Sequence, residues 1–126
     1  MQAAIQKMVT NILLVGLGGG IGSILRYLCQ RTWNHQFPWG TLLVNIAGCF
    51  LIGLLWGLIG KQMDEQKKLL LITGFCGGFT TFSAFTQEGV QMMMDNRWLS
   101  FGFYTLASVA GGLLATFLAF KLTTTQ

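Results

Sequence analysis

Residues 74–85 read GFCGGFTTFSAF: three glycines, a cysteine, two threonines, a serine and four phenylalanines within twelve positions of an otherwise apolar segment. A lipid-facing helix has no use for this mixture. Gly74, Gly77 and Gly78 loosen a helix or admit another backbone at close range, and Thr80, Thr81 and Ser83 bring hydroxyls to membrane depth. Irregular backbone is tolerated in a bilayer only where it is buried in protein or lines a cavity, so a helix broken here must face a partner or a pathway.

The rest of the 126-residue chain names the solvent, with 52% hydrophobic and 10% charged residues and a mean hydropathy of +0.57. These values predict one integral membrane domain over residues 1–126, all α-helical, with four transmembrane helices at about 9–29, 40–60, 69–94 and 99–120. The first stretch is too long for a signal-peptide core and lacks a small-residue cleavage site, so it reads as a helix of the mature protein. A net charge of +4 would suggest nucleic acid in a soluble protein. Here the basic residues sit mainly near span ends, which points to the lipid bilayer and not to nucleic acid. Four spans place Lys7, Lys61, Lys67, Lys68 and Lys121 on one face and Arg26, Arg31 and Arg97 on the other, a weak orientation bias.

The third span is too long for a straight crossing. Residues 69–94 would run about 39 Å as an α-helix against a hydrocarbon core of about 30 Å, and the pair Gly77–Gly78 nominates the break. A break frees carbonyls that can hold a cation and N–H groups that can face an anion. Phe82 and Phe85 follow on one side of the second half-helix. Such a pair serves either as core or, turned edge-on, as a weak receiver of anions through the positive rim of the rings.

Span one carries Gly16, Gly18, Gly19, Gly20 and Gly22, a close-packing face that does not match a dinucleotide fingerprint. Arg26 after it either reaches headgroups, pairs with carbonyls or sets a positive potential at a pore mouth. On span two, Thr41, Asn45, Gly48, Cys49 and Ile52 share one face. Asn45 is either an interhelical hydrogen-bond partner or an N–H donor facing a polar path. On span four, Tyr104, Thr105, Ser108, Gly112 and Thr116 fall within about 120° of helical arc, a polar track or a packing seam. Cys29, Cys49 and Cys76 read as free thiols, and His35, the single histidine, as a loop residue.

The segments GLGGGIGSILRY, PWGTLLVNIAG and GFCGGFTTFSAF, in this order and spacing, resemble the Fluc family of bacterial fluoride channels, also called CrcB-type. The resemblance covers nearly the whole chain. It implies a four-helix subunit with a broken third helix, paired in an antiparallel dual-topology homodimer of the bacterial inner membrane, with two pores that let fluoride leave the cell by passive flow. Carried over by motif position, Asn45 would be a pore-lining donor, Phe82 and Phe85 the aromatic box, and Ser83 a hydroxyl on the path. Gly77 and Thr80 would offer main-chain carbonyls to a structural sodium ion shared by the two subunits. Thr41, Tyr104, Ser108, Glu88 and Arg26 complete the implied pathway. Ala84 departs from the family, where threonine is frequent.

The alternative is a proton-coupled small multidrug transporter, which needs an acidic residue within a span. Spans one and two have none, and Glu88 follows a different motif. An enzyme is disfavoured, because the chain pairs no nucleophile with a base and has neither a metal-ligand cluster nor paired carboxylates.

Overall fold

Four helical stretches, each long and apolar enough to cross a membrane, are present among the described residues, at Gln2–Trp33, Trp39–Ile59, Glu65–Met94 and Trp98–Thr124. The computed structural model describes residues 1–125, apart from the side chains of residues 60–62, so the expected headgroup position of Lys61 lies outside the described residues. Helix α1 spans Gln2–Trp33 and α2 Trp39–Gln62, joined by a five-residue loop that Asn34 and Pro38 close through an isolated β-bridge. The third crossing is composite: α3 (Glu65–Lys68), a π-helical segment (Leu69–Cys76), α4 (Gly77–Phe79) and α5 (Phe82–Met94). Helix α6, Trp98–Thr124, completes the bundle.

Local signals set the ends of these elements. Asp64 starts α3, its carboxylate accepting from the Lys67 N–H at 2.8 Å. That bond, together with the nearby Lys67 charge, holds the exposed Asp64 carboxyl below its ordinary value. At the other end of the third crossing Asn96 adopts φ 57°, and the N–H groups of Asn96 and Arg97 donate to the carbonyls of Met93 and Met92 at 3.1 and 2.8 Å. This is a left-handed helix stop in which asparagine takes the place usual for glycine. Trp33, Trp39 and Trp98, all about half exposed, gather at this end as an interfacial belt.

The break falls later than Gly77–Gly78. Gly77 keeps helical dihedrals (φ −63°, ψ −36°), and the extended residues are Thr80 (φ −86°, ψ 156°) and Thr81 (φ −150°, ψ 116°). β-branched threonine accepts extended backbone readily, and Thr81 Oγ1 also caps α5 by accepting from the Ala84 N–H at 3.1 Å. Gly78 serves close approach instead: a Cβ there would lie 2.9 Å from the Gly19 Cα. The π-helical turn just before it is the second departure from a straight helix, and it lies where α1 packs.

Helix α1 meets the third crossing through its glycines. A Cβ on Gly18 would come within 2.8 Å of the Phe75 N, and one on Gly22 within 2.8 Å of the Phe79 N and against the Phe75 carbonyl. The GxxxG face is therefore consumed within the chain and carries no argument for a second copy. Helix α2 packs chiefly on α6, and α5 on α6. Few large side chains are fully buried, with Tyr104, Val44 and Thr41 at 0% exposure, while Leu13, Leu17, Leu106, Leu113 and Phe117 stand outward. An apolar exterior suits lipid.

Gly22→Ala should cost about 1–3 kcal/mol, because the new methyl group meets backbone that cannot step aside. Gly16→Ala, whose added Cβ meets nothing within 4 Å, should be neutral or slightly stabilising. Thermal denaturation of the detergent-purified variants reads the difference. Equal losses at both positions would overturn the packing account.

Candidate functional site

At Thr80–Thr81 the backbone leaves its helical ladder and must find other partners, since lipid offers none. Asn45 on α2 supplies both for Thr81. Its Oδ1 accepts from the Thr81 N–H at 2.7 Å and its Nδ2 donates to the Thr81 carbonyl at 3.0 Å, as a neighbouring β-strand would. Of the alternatives open for Asn45, the interhelical bond is thus realised. One Nδ2 hydrogen remains beyond the bond to Thr81.

Helix α1 serves the other side of the break. Arg26 Nε donates to the Gly78 carbonyl at 3.0 Å, with Ser23 Oγ at 3.4 Å from the same oxygen. Arg26 therefore pairs with a carbonyl and does not reach for headgroups. With its charge turned inward, the basic residues left on that face are Arg31 and Arg97.

A cleft of about 410 Å³ opens beside the break, and its wall includes Asn45, Gly77, Thr80, Phe82, Phe85 and Ser108. Six elements contribute: α2, the π-helical segment, α4, the extended residues, α5 and α6. The Phe82 and Phe85 rings lie 5.7 Å apart at 39°, and Phe82 is 77% exposed, so in this chain it is not core. Ser108 Oγ and Thr105 Oγ1 are buried without a hydrogen-bond partner among the described residues. Ser83 lies exposed at the start of α5, its Oγ 3.2 Å from Thr81 Oγ1. Thr116, on the same helix as Ser108, donates to the Cys49 carbonyl at 2.9 Å and so acts as a seam between α6 and α2. Cys29, Cys49 and Cys76 are all free thiols.

A second polar centre lies toward the tryptophan-rich end, where Glu88 of α5 meets Thr41 of α2 and Tyr104 of α6. Glu88 Oε1 accepts from Thr41 Oγ1 at 2.7 Å and Asn34 Nδ2 at 3.0 Å, and Oε2 accepts from the Tyr104 hydroxyl at 2.6 Å. Proton accounting closes around Thr41. Its hydroxyl oxygen accepts from Gln30 Nε2 (3.0 Å) and Asn34 Nδ2 (2.9 Å), its N–H donates to Asn34 Oδ1 (3.1 Å), and its own hydrogen is free for Glu88. Three donors, from Thr41, Asn34 and Tyr104, converge on the carboxylate.

The two centres touch, because the Phe85 and Tyr104 rings stand 5.1 Å apart at 56°. The structure thus brings Asn45, Phe82, Phe85, Ser108, Gly77 and Thr80 to one cleft and Thr41, Glu88 and Tyr104 to its neighbour. Arg26 stands apart, behind the break. Sequence reasoning missed Gln30 and Asn34. Two amides four positions apart where the first span ends were the available signal, although Asn34 itself lies just past the last residue of α1.

Asn45→Leu should leave the Thr81 N–H and carbonyl unpaired at membrane depth and destabilise the fold by about 2–4 kcal/mol, at about 1–3 kcal/mol per orphaned group. Thr81→Ala, which removes only the cap, should cost about 1 kcal/mol. Thermal denaturation ranks the two, and a smaller loss for Asn45→Leu would show that water satisfies the break.

The profile of the family described as "CrcB-like protein, Camphor Resistance (CrcB)" matches residues 13–120. The "Fluoride-specific ion channel FluC" of Gloeothece citriformis is 52% identical over 118 residues, covering 89% of this chain and 95% of the relative. The protein of the same name from Flavobacterium psychrophilum is 46% identical over 112 residues, covering 84% of this chain and 90% of the relative. "Fluoride-specific ion channel FluC 2" of Rhodococcus jostii is 47% identical over 115 residues, covering 90% of this chain and 98% of the relative. With nearly its whole length matched, the chain belongs to the CrcB/FluC family.

Proposed function

We propose that this chain is a fluoride-selective ion channel of the bacterial inner membrane, working by passive flow and not as an enzyme. The observation that carries the reading is the cleft at the broken third crossing, where amide, hydroxyl and ring-edge donors stand together without a lysine. Relatives covering most of the chain bear the name of a fluoride-specific channel. Fluoride is small and holds its water tightly, so a path must offer replacement donors yet bind weakly enough to release. Asn45 with its spare N–H, the unpartnered Ser108 hydroxyl, Ser83 and the edges of Phe82 and Phe85 fit that demand. Thr41, Tyr104 and Glu88 continue the path beyond Phe85, and Arg26 steadies the break from behind.

The functional unit in this reading is an antiparallel dual-topology homodimer with two pores. The 77% exposure of Phe82 supports it, since an aromatic box half open to lipid is completed by a second copy. Gly77 and Thr80 fit a sodium ion through their main-chain carbonyls, because both line the cleft at the break and carbonyl oxygens suit a hard cation. Two such carbonyls are too few for sodium, so the site would need the second copy. Sodium would supply fixed positive charge and tie the two breaks together.

Fluoride efflux from liposomes, with chloride alongside, tests the function. Phe82→Ile and Phe85→Ile keep bulk but remove ring-edge electrostatics of about 0.5–1.5 kcal/mol per contact, so throughput should fall about tenfold or more with an intact assembly. Variants that assemble normally and conduct at the unmutated rate would make the rings packing residues.

Assembly has its own test. In sodium buffer the purified protein should elute as a dimer, with C-terminal tags accessible from both sides of the membrane, and replacement of sodium by a large organic cation should dissociate it or silence transport. A single orientation would overturn dual topology, and unchanged behaviour without sodium would overturn the ion.

A further inference from the structure

A small cavity of about 160 Å³ sits at the tryptophan-rich end, bounded by Asn34, His35, Gln36, Glu88, Gln91 and Arg97 among others. Its inner wall is the Glu88 carboxylate, which joins the Tyr104 hydroxyl at 2.6 Å and, through the Tyr104 ring, Phe85 and the cleft. Glu88 thus belongs both to this cavity and to the proposed fluoride path. A carboxylate in that position repels an incoming anion unless positive charge offsets it.

The offsetting group shares the same cavity. Arg97 is half-buried, held there by the left-handed helix stop, and makes no ion pair among the described residues. Glu88 is occupied by neutral donors from Asn34, Thr41 and Tyr104, so the Arg97 charge is not spent on it. His35 stands exposed on the rim, on the loop that the Asn34–Pro38 bridge closes. Two other charged groups lie close in sequence and form hydrogen bonds with neutral partners, which leave their charges in place: Arg31 donates to the Tyr27 hydroxyl at 3.1 Å, and Asp95 accepts from Gln91 Nε2 at 3.0 Å.

We propose that this cavity is an anion-receiving mouth in which the Arg97 charge offsets Glu88, so that fluoride capture depends on Arg97. The proposal rests on the channel reading and adds a specific route to it. Because the mouth is open to water, its action is electrostatic steering, which ionic strength screens.

The test is fluoride efflux from liposomes at low fluoride and about pH 7.5, in low salt and in about 1 M of an impermeant salt, with protein-free vesicles subtracting the leak of hydrogen fluoride. In low salt the unmutated protein should conduct about two- to fivefold faster than in high salt. Arg97→Gln should conduct about two- to fivefold slower in low salt and recover in high salt, while Arg97→Lys should conduct like the unmutated protein. An Arg97→Gln protein that conducts like the unmutated one in low salt, or an Arg97→Gln loss that persists in high salt, would overturn the mouth and leave the channel standing. No fluoride flux above protein-free vesicles from the unmutated protein would overturn both.

Discussion

A helix interrupted inside a bilayer leaves backbone groups that lipid cannot satisfy, and the interruption at Thr80–Thr81 persists because Asn45 completes it. One amide side chain satisfies both the N–H and the carbonyl of Thr81. Much else follows from that bond. It fixes α2 against the break, and it brings Gly48, one turn along, so close to Thr80 that an added Cβ would meet the Thr80 methyl group. On the opposite side the glycine face of α1 lets Arg26 reach the Gly78 carbonyl. The break is held from two sides by two helices, and the cleft is the space that this arrangement leaves open.

The Glu88 network does for the outer half of the bundle what Asn45 does for the middle. Apolar contacts discriminate poorly between helix arrangements in lipid, where the surroundings are as apolar as the interface. A fully satisfied polar network has far fewer solutions. Gln30, Asn34, Thr41, Glu88 and Tyr104 come from α1, the loop after it, α2, α5 and α6, and each donor–acceptor assignment excludes the others. This explains how a chain with so few fully buried large side chains specifies one packing.

The four crossings and the irregular third one were legible in the sequence, because apolar runs and their glycine and hydroxyl interruptions are local signals. The exact place of the break was not. Glycine marks both a flexible point and a point of close approach, and only the position of α1 shows that Gly78 serves the second, leaving the extended turn to the threonines. Asn45 stood out as costly, but its partner lies 36 positions away and is backbone, which no side-chain pattern reveals. Asn34 escaped for a similar reason, with Glu88 54 positions distant. The GxxxG pair read as a helix-packing face, which it is, but its partner is the third crossing of the same chain.

The placement of full charges separates holding a structure from passing an anion through it. Arg26 is the cation nearest the break, and its guanidinium is bound to a carbonyl on the α1 side, whereas the cleft wall on the α2 side presents only neutral donors and ring edges. A free guanidinium inside a narrow, water-poor path would hold fluoride by several kcal/mol and slow its release, since Coulomb attraction grows as the dielectric falls. Bound to the Gly78 carbonyl, the same charge stabilises the irregular backbone while that carbonyl's dipole takes up part of its field. At the hydrated mouth the balance differs. There water screens each charge, so Arg97 can draw an anion past Glu88 without trapping it. Strong charges behind the wall and at the entrance, with weak donors between them, are the arrangement that fast passage of a tightly hydrated anion requires.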